Sequence, residues 1–132
     1  PTRRSSDLGG PVDITVPEGA NFASAFTSPG GTLVTALVLP IANINGLIIR
    51  RGFVGSYGAV NSALMAKATT PTDPADTGAR GLLLTPGISG TSIVSNLALP
   101  LKIPAGLGLY FVGNGSTAGT SYYIYSASWD LL

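Results

Sequence analysis

Few of the side chains that carry most enzyme chemistry are present in this sequence. It contains no His and no Cys, which removes the commonest general base, the thiol nucleophile and most transition-metal ligands. Carboxylates remain. Asp73 and Asp76 sit together in Asp73-Pro74-Ala75-Asp76, near enough to act as the acid and base of a glycosidase, with Asp130 as a third that would have to converge on them. The same four residues spell a turn, because Asp initiates turns through its side chain and Pro fixes φ, and the turn is the stronger reading. With Thr72 and Thr77 the segment also offers oxygen ligands to Ca²⁺, without the dense carboxylates of a dedicated site. Gly106 and Gly108 begin like a dinucleotide-binding fingerprint, but Phe111 stands where the third glycine is required. No catalytic residue, cofactor or metal is therefore assigned, and the chain is expected to work by assembling or binding.

Binding chemistry has two candidate sets. Tyr123, Tyr125 and Trp129, with Tyr122, form an aromatic cluster near the C-terminus. Such rings stack on the apolar faces of saccharides, so a glycan contact is one expectation, set against the stronger one that Tyr and Trp here fill a core or a subunit contact. Arg50 and Arg51 point to opposite faces of a strand, so at least one is expected to meet a partner subunit or an internal carboxylate. The chain has 7 Lys and Arg against 6 Asp and Glu, a net charge of +1. No basic stripe exists for nucleic acid. The most apolar stretch, residues 36–49, is interrupted by Pro40, Asn43, Asn45 and Gly46, so it does not form a membrane span.

The elements that must position these residues are strands. Short apolar segments with a period of two recur between Gly, Pro, Asn and Asp, which predicts an all-β, two-sheet sandwich, jelly-roll-like, of about eight strands. Strands are expected over 12–16, 33–39, 46–54, 63–69 and 82–85, with a loop over 71–79. Leu97, Leu99, Leu101 and Ile103 are expected to share one core-facing side of a further strand. Residues 107–112 and 121–126 read as a hairpin joined by a Gly-rich loop. Within 33–39, Leu33, Thr35, Leu37 and Leu39 are expected in the core, and Val34, Ala36 and Val38 at an intersubunit contact.

Residues 1–8, PTRRSSDL, resemble the translated end of a widely used sequencing adapter. The expectation is a gene from a metagenomic assembly, with a non-native segment at 1–8, the true N-terminus missing and a single sandwich domain over 9–132. Without Arg3, Arg4 and Asp7 the remainder is formally neutral. Charged residues make up only 10% of the chain and mean hydropathy is +0.40, whereas an ordinary globular domain carries about 25% charged residues. A surface so poor in charge is expected to be covered by neighbouring subunits.

Residues 44–50, INGLIIR, and 101–110, LKIPAGLGLY, occur in an order that resembles small structural proteins of tailed bacteriophages. The resemblance covers residues 43–132. It implies a virion component such as a decoration, tail or fibre protein, a homo-oligomer with a trimer favoured, other virion proteins as partners, and no catalytic residues. The alternative is a carbohydrate-binding module on a phage fibre or a secreted bacterial protein, which would place the chain outside the cell.

Overall fold

The computed structural model describes residues 20–28, 30–115 and 121–132. Among them the chain forms nine strands and one short 3-10 turn: β1 (Asn21–Thr27), β2 (Gly31–Val38), the turn Pro40–Ala42, β3 (Leu47–Gly58), β4 (Val60–Lys67), β5 (Arg80–Thr85), β6 (Ile88–Asn96), β7 (Leu101–Ile103), β8 (Gly108–Gly115) and β9 (Tyr122–Leu131). They make two antiparallel sheets, β1-β9-β3-β6 with β7 also on β3, and β2-β8-β4-β5. The pairs nest: β1 with β9, β2 with β8, β3 with β6, β4 with β5. That nesting is a long antiparallel ribbon rolled into two sheets, the jelly roll expected from the strand count.

The core lies between the sheets. Leu47, Ile49, Val54, Tyr123, Tyr125, Ala127 and Trp129 come from the first, and Leu64, Leu109 and Phe111 from the second. Phe111 stacks on Tyr125 with ring centroids 4.1 Å apart and meets Tyr123 edge-on at 4.8 Å. Only Ala59 separates β3 from β4, so the chain must turn from one sheet to the other within a residue or two. Gly58 makes this possible at φ +81°, a left-handed conformation that side chains disfavour.

Two strands escaped the alternation rule. In β1 the pattern is inverted: Phe22 and Phe26 point out while the small Ala23 and Ala25 pack on the core. In β6 nearly every residue is exposed or half-buried, so no buried period marks it. The expected core row also changes. Only Leu101–Ile103 is strand, and Leu99 is 73% exposed. Two prolines, Pro100 and Pro104, lack ladder donors and bracket the pairing to three residues. Nor is the 107–126 region a hairpin, because β8 and β9 belong to different sheets. The strand expected at 12–16 and the segment 1–8 lie outside the described residues.

Candidate functional site

The three carboxylates do not converge. Asp130, near the end of β9, accepts from Arg50 Nε at 2.8 Å and from Ala20 N at 2.6 Å. Asp73 and Asp76 lie in the loop between β4 and β5, and both are occupied by turn geometry. Asp73 Oδ1 accepts from Ala75 N at 2.7 Å. Asp76 accepts from Thr72 N at 3.0 Å and Gly78 N at 2.9 Å, and pairs with Lys67 Nζ at 2.7 Å. A cation is thus already seated on Asp76, where a Ca²⁺ ion would have to bind.

Lys67, followed by the N–H groups of Thr72 and Gly78, holds the Asp76 carboxyl down from 3.8 to about 2. A folded value below the ordinary one contributes stability above about pH 4 that is lost as the pH falls toward about 2. Asp130, lowered by Arg50 and Ala20 N, acts in the same sense. Asp76→Asn should therefore melt below the wild type at neutral pH, with the gap closing in acid. A gap that stays constant from pH 7 to 2 would contradict this account.

The β4–β5 loop also lies over part of one face of the molecule. On the outer side of the β2-β8-β4-β5 sheet, Ala63, Met65, Tyr110 and Val112 form a second apolar cluster, each no more than 2% exposed, with Val34 and Ala79 packed against it. Pro71 and Pro74 of the loop are buried, and Asp73, Pro74 and Ala75 face Asn61, Leu84 and Asn114 of the sheet across a 260 Å³ cavity. The three residues expected at an intersubunit contact are thereby separated. Val34 belongs to this internal cluster, and Ala36 is exposed opposite Tyr110. Val38 is in the main core, because a register shift between Ala36 and Val38 reverses the parity of β2. By the same shift Leu39 leaves the strand and is 54% exposed.

The opposite outer face, on the β1-β9-β3-β6 sheet, has no such cover among the described residues. Register places Phe26, Ile124, Gly55 and Val94 in one row across it, with Tyr57 and Tyr122 in the next. Phe26, Val94, Tyr57 and Ile124 are 67%, 61%, 45% and 38% exposed. Phe26 stacks on Tyr122 at 5.4 Å, and these side chains enclose a 160 Å³ depression with Gly55 as its floor. Along the same face toward the start of β3 lies a 420 Å³ groove lined by Phe22, Phe53, Arg50 and Arg51 with Asn96 and Leu99. Arg50 is the extra residue of a bulge between Ile49 and Arg51, which frees its side chain from the alternation and turns it to Asp130. The internal carboxylate expected for one of the two arginines is thus present.

The aromatic cluster is divided by parity. Tyr123, Tyr125 and Trp129 are 1%, 5% and 6% exposed and face the core, so they present no platform to a saccharide. Burial pushes the Tyr123 hydroxyl up to about 12 and raises that of Tyr125. The residues that do form an aromatic surface are Phe22, Phe26, Tyr57 and Tyr122. For Phe22 and Phe26 the signal in the sequence was Phe spaced by four with only Ala and Ser between, Phe22-Ala23-Ser24-Ala25-Phe26, a period-two strand whose large side chains face out.

No protein-family model matches this chain, and neither does any curated protein. Among solved structures, the chain is similar to a chain in the structure of the infectious bursal disease virus Gx strain, at 16% identity and a TM-score of 0.34. The match covers 84% of this chain and 28% of the length of that one.

Proposed function

We propose that this chain is a non-enzymatic structural component of a bacteriophage virion, a decoration, tail or fibre domain that acts by self-assembly. The observation that carries the reading is the outer face of the β1-β9-β3-β6 sheet, which no other described element covers and where Phe26, Tyr57, Val94 and Ile124 are exposed on a chain with only 10% charged residues. Contiguous apolar surface of this kind marks an interaction site. Two further points support it. The resemblance to phage structural proteins rests on segments that form the start of β3 and the run from β7 into β8, both beside the core. By analogy of architecture alone, the jelly roll also houses capsid domains, along with lectins and cupins. The partners are other copies of this chain and other virion proteins.

Sedimentation and light scattering over a wide concentration range test the reading. Mass should rise with concentration in multiples of 13.3 kDa. Because the surface being buried is apolar, sulfate should strengthen the association and sodium chloride should not dissolve it. A monomer at every concentration would refute self-assembly, and dissociation by moderate salt would refute the apolar contact.

A further inference from the structure

Asn-Gly dipeptides occur at Asn45-Gly46 and Asn114-Gly115, and the fold treats the two in opposite ways. An asparagine is converted when the main-chain nitrogen of the next residue attacks its side-chain carbonyl carbon, and glycine, having no side chain, obstructs that attack least. The attack also needs the intervening peptide free to rotate. Asn114 and Gly115 lie in the central strand β8, where Asn114 pairs with Thr32 and Asn61, and Gly115 with Gly31 and Val60. Both neighbours hold that peptide. Asn45 and Gly46 instead lie outside every strand, in the connection from the 3-10 turn to β3. Asn45 is exposed, and no group among the described residues bonds its carboxamide. Gly46 is tied through its carbonyl, which accepts from Leu132 N at 3.0 Å, while its N–H donates to no backbone carbonyl among the described residues. The turn itself requires the glycine, at φ +100°.

Asn43, two residues earlier, supplies a contrast within the same loop. It is buried, its Nδ2 donates to Pro104 O at 2.8 Å and Leu107 O at 2.9 Å, and the branched Ile44 follows it. We infer that Asn45 is a site of spontaneous covalent modification, where the folded protein turns an amide into a carboxylate without an enzyme. Gly46 N bonds Asn45 Cγ, the Cγ–Nδ2 bond breaks, and the proton of the Gly46 N–H passes through water to the departing nitrogen, which leaves as ammonia. The product is a cyclic succinimide. One water then opens the ring: breaking the bond from Gly46 N to Cγ gives aspartate, and breaking the bond from Gly46 N to the main-chain carbonyl carbon gives isoaspartate, whose main chain runs through Cγ and is longer by one carbon. Overall, water replaces ammonia, and nothing is oxidised or reduced. Either product brings a charge into residues 39–45, which carry none, close to Lys102, whose Cε lies 3.7 Å from where a Gly46 Cβ would stand. Isoaspartate also displaces Gly46, which is buried and holds Leu132 N, and so loosens the end of β9.

The test incubates the full chain in mildly alkaline buffer, once folded and once unfolded in guanidinium chloride, and follows each asparagine by tryptic digestion and mass spectrometry. Cleavage after Lys and Arg leaves Asn43 and Asn45 in one peptide and Asn114 in another. In the folded chain the exchange of amide for acid should appear at Asn45, with isoaspartate among the products. Asn114 should react at least roughly tenfold more slowly, a ratio that corresponds to about 1.4 kcal/mol of local opening. In guanidinium chloride Asn45 and Asn114 should react at similar rates, with Asn43 still behind because Ile44 shields its peptide nitrogen. Asn45→Gln, at an exposed position and with a larger ring to close, should fold as the wild type does and lose the acidic form that isoelectric focusing resolves. Three results overturn the inference: equal rates at Asn45 and Asn114 in the folded chain, an Asn45 that reacts only when the chain is unfolded, or an acidic form that persists in Asn45→Gln.

Discussion

Gly113→Ala is expected to abolish cooperative folding or to lower the melting temperature drastically, although it adds a single methyl group. Gly113 lies in β8 on the side facing the main core, and a Cβ there would fall within 3.0 Å of three carbons of the Tyr123 ring. Real Cβ atoms do not approach that closely, so something must move, and neither partner is free to. Tyr123 is 1% exposed, set edge-on against Phe111 at 4.8 Å, with its hydroxyl bonded to Thr27. On the other side Gly113 pairs with both Leu33 and Ser62, which holds the backbone between two neighbouring strands. Overpacking usually costs about 1–3 kcal/mol and more where no relaxation is available, out of a total stability of about 5–15 kcal/mol. The companion variant Gly113→Ala with Tyr123→Leu removes the obstructing ring and should recover part of the loss. Urea unfolding measures both. A single variant as stable as the wild type, or a double variant less stable than Gly113→Ala, would show that the ring is not the obstacle.

The Tyr123 and Gly113 pair marks where sequence reading reaches its limit. Alternation placed most strands because a half-buried strand must put apolar residues on every second position, and β2, β3, β4, β5, β8 and β9 do so over most of their length. The rule fails where the face is decided by something other than size. In β1 the core accepts Ala23 and Ala25 because the larger rings of the neighbouring β9, Tyr123 and Tyr125, already fill the space, and the Phe side chains are left outside. In β2 and β3 single-residue bulges reverse the parity, which moved Val38 into the core and Arg50 to Asp130. No local residue pattern announces a bulge, since it is fixed by how two strands end up paired. The intersubunit contact was expected on β2, but Val34 packs in the second cluster and Val38 in the main core, and among the described residues the large exposed apolar side chains of a sheet face gather instead on the β1-β9-β3-β6 sheet. Of the outward residues of β2, Val34 packs into the second cluster with Ala79 of the chain's own β4–β5 loop, while Ala36 stays exposed.

That difference between the two outer faces leads to the second large effect. Val112→Asp should fail to fold, whereas Val94→Asp should fold normally and lose only its association. Both replace a Val on the outer face of a sheet, and from the strand pattern alone the two look alike. Val112 is fully buried in the second cluster with Met65, Tyr110 and Ala63, beneath a loop fastened by Lys67 and Asp76. A carboxylate there must shed its water or take up a proton, and keeping an acid of ordinary pKa near 3.9 neutral at pH 7 costs about 4 kcal/mol at about 1.4 kcal/mol per unit. The buried hydroxyl it then carries still lacks the hydrogen bonds it had in water, which adds to the loss. Val94 is 61% exposed on β6, so its replacement keeps its hydration and leaves the interior untouched. Soluble expression, circular dichroism and sedimentation of the two variants distinguish the faces directly. Should Val112→Asp instead fold and merely change mass, the β4–β5 loop is not a fixed cover, and the β2-β8-β4-β5 face would have to be counted as a second assembly surface.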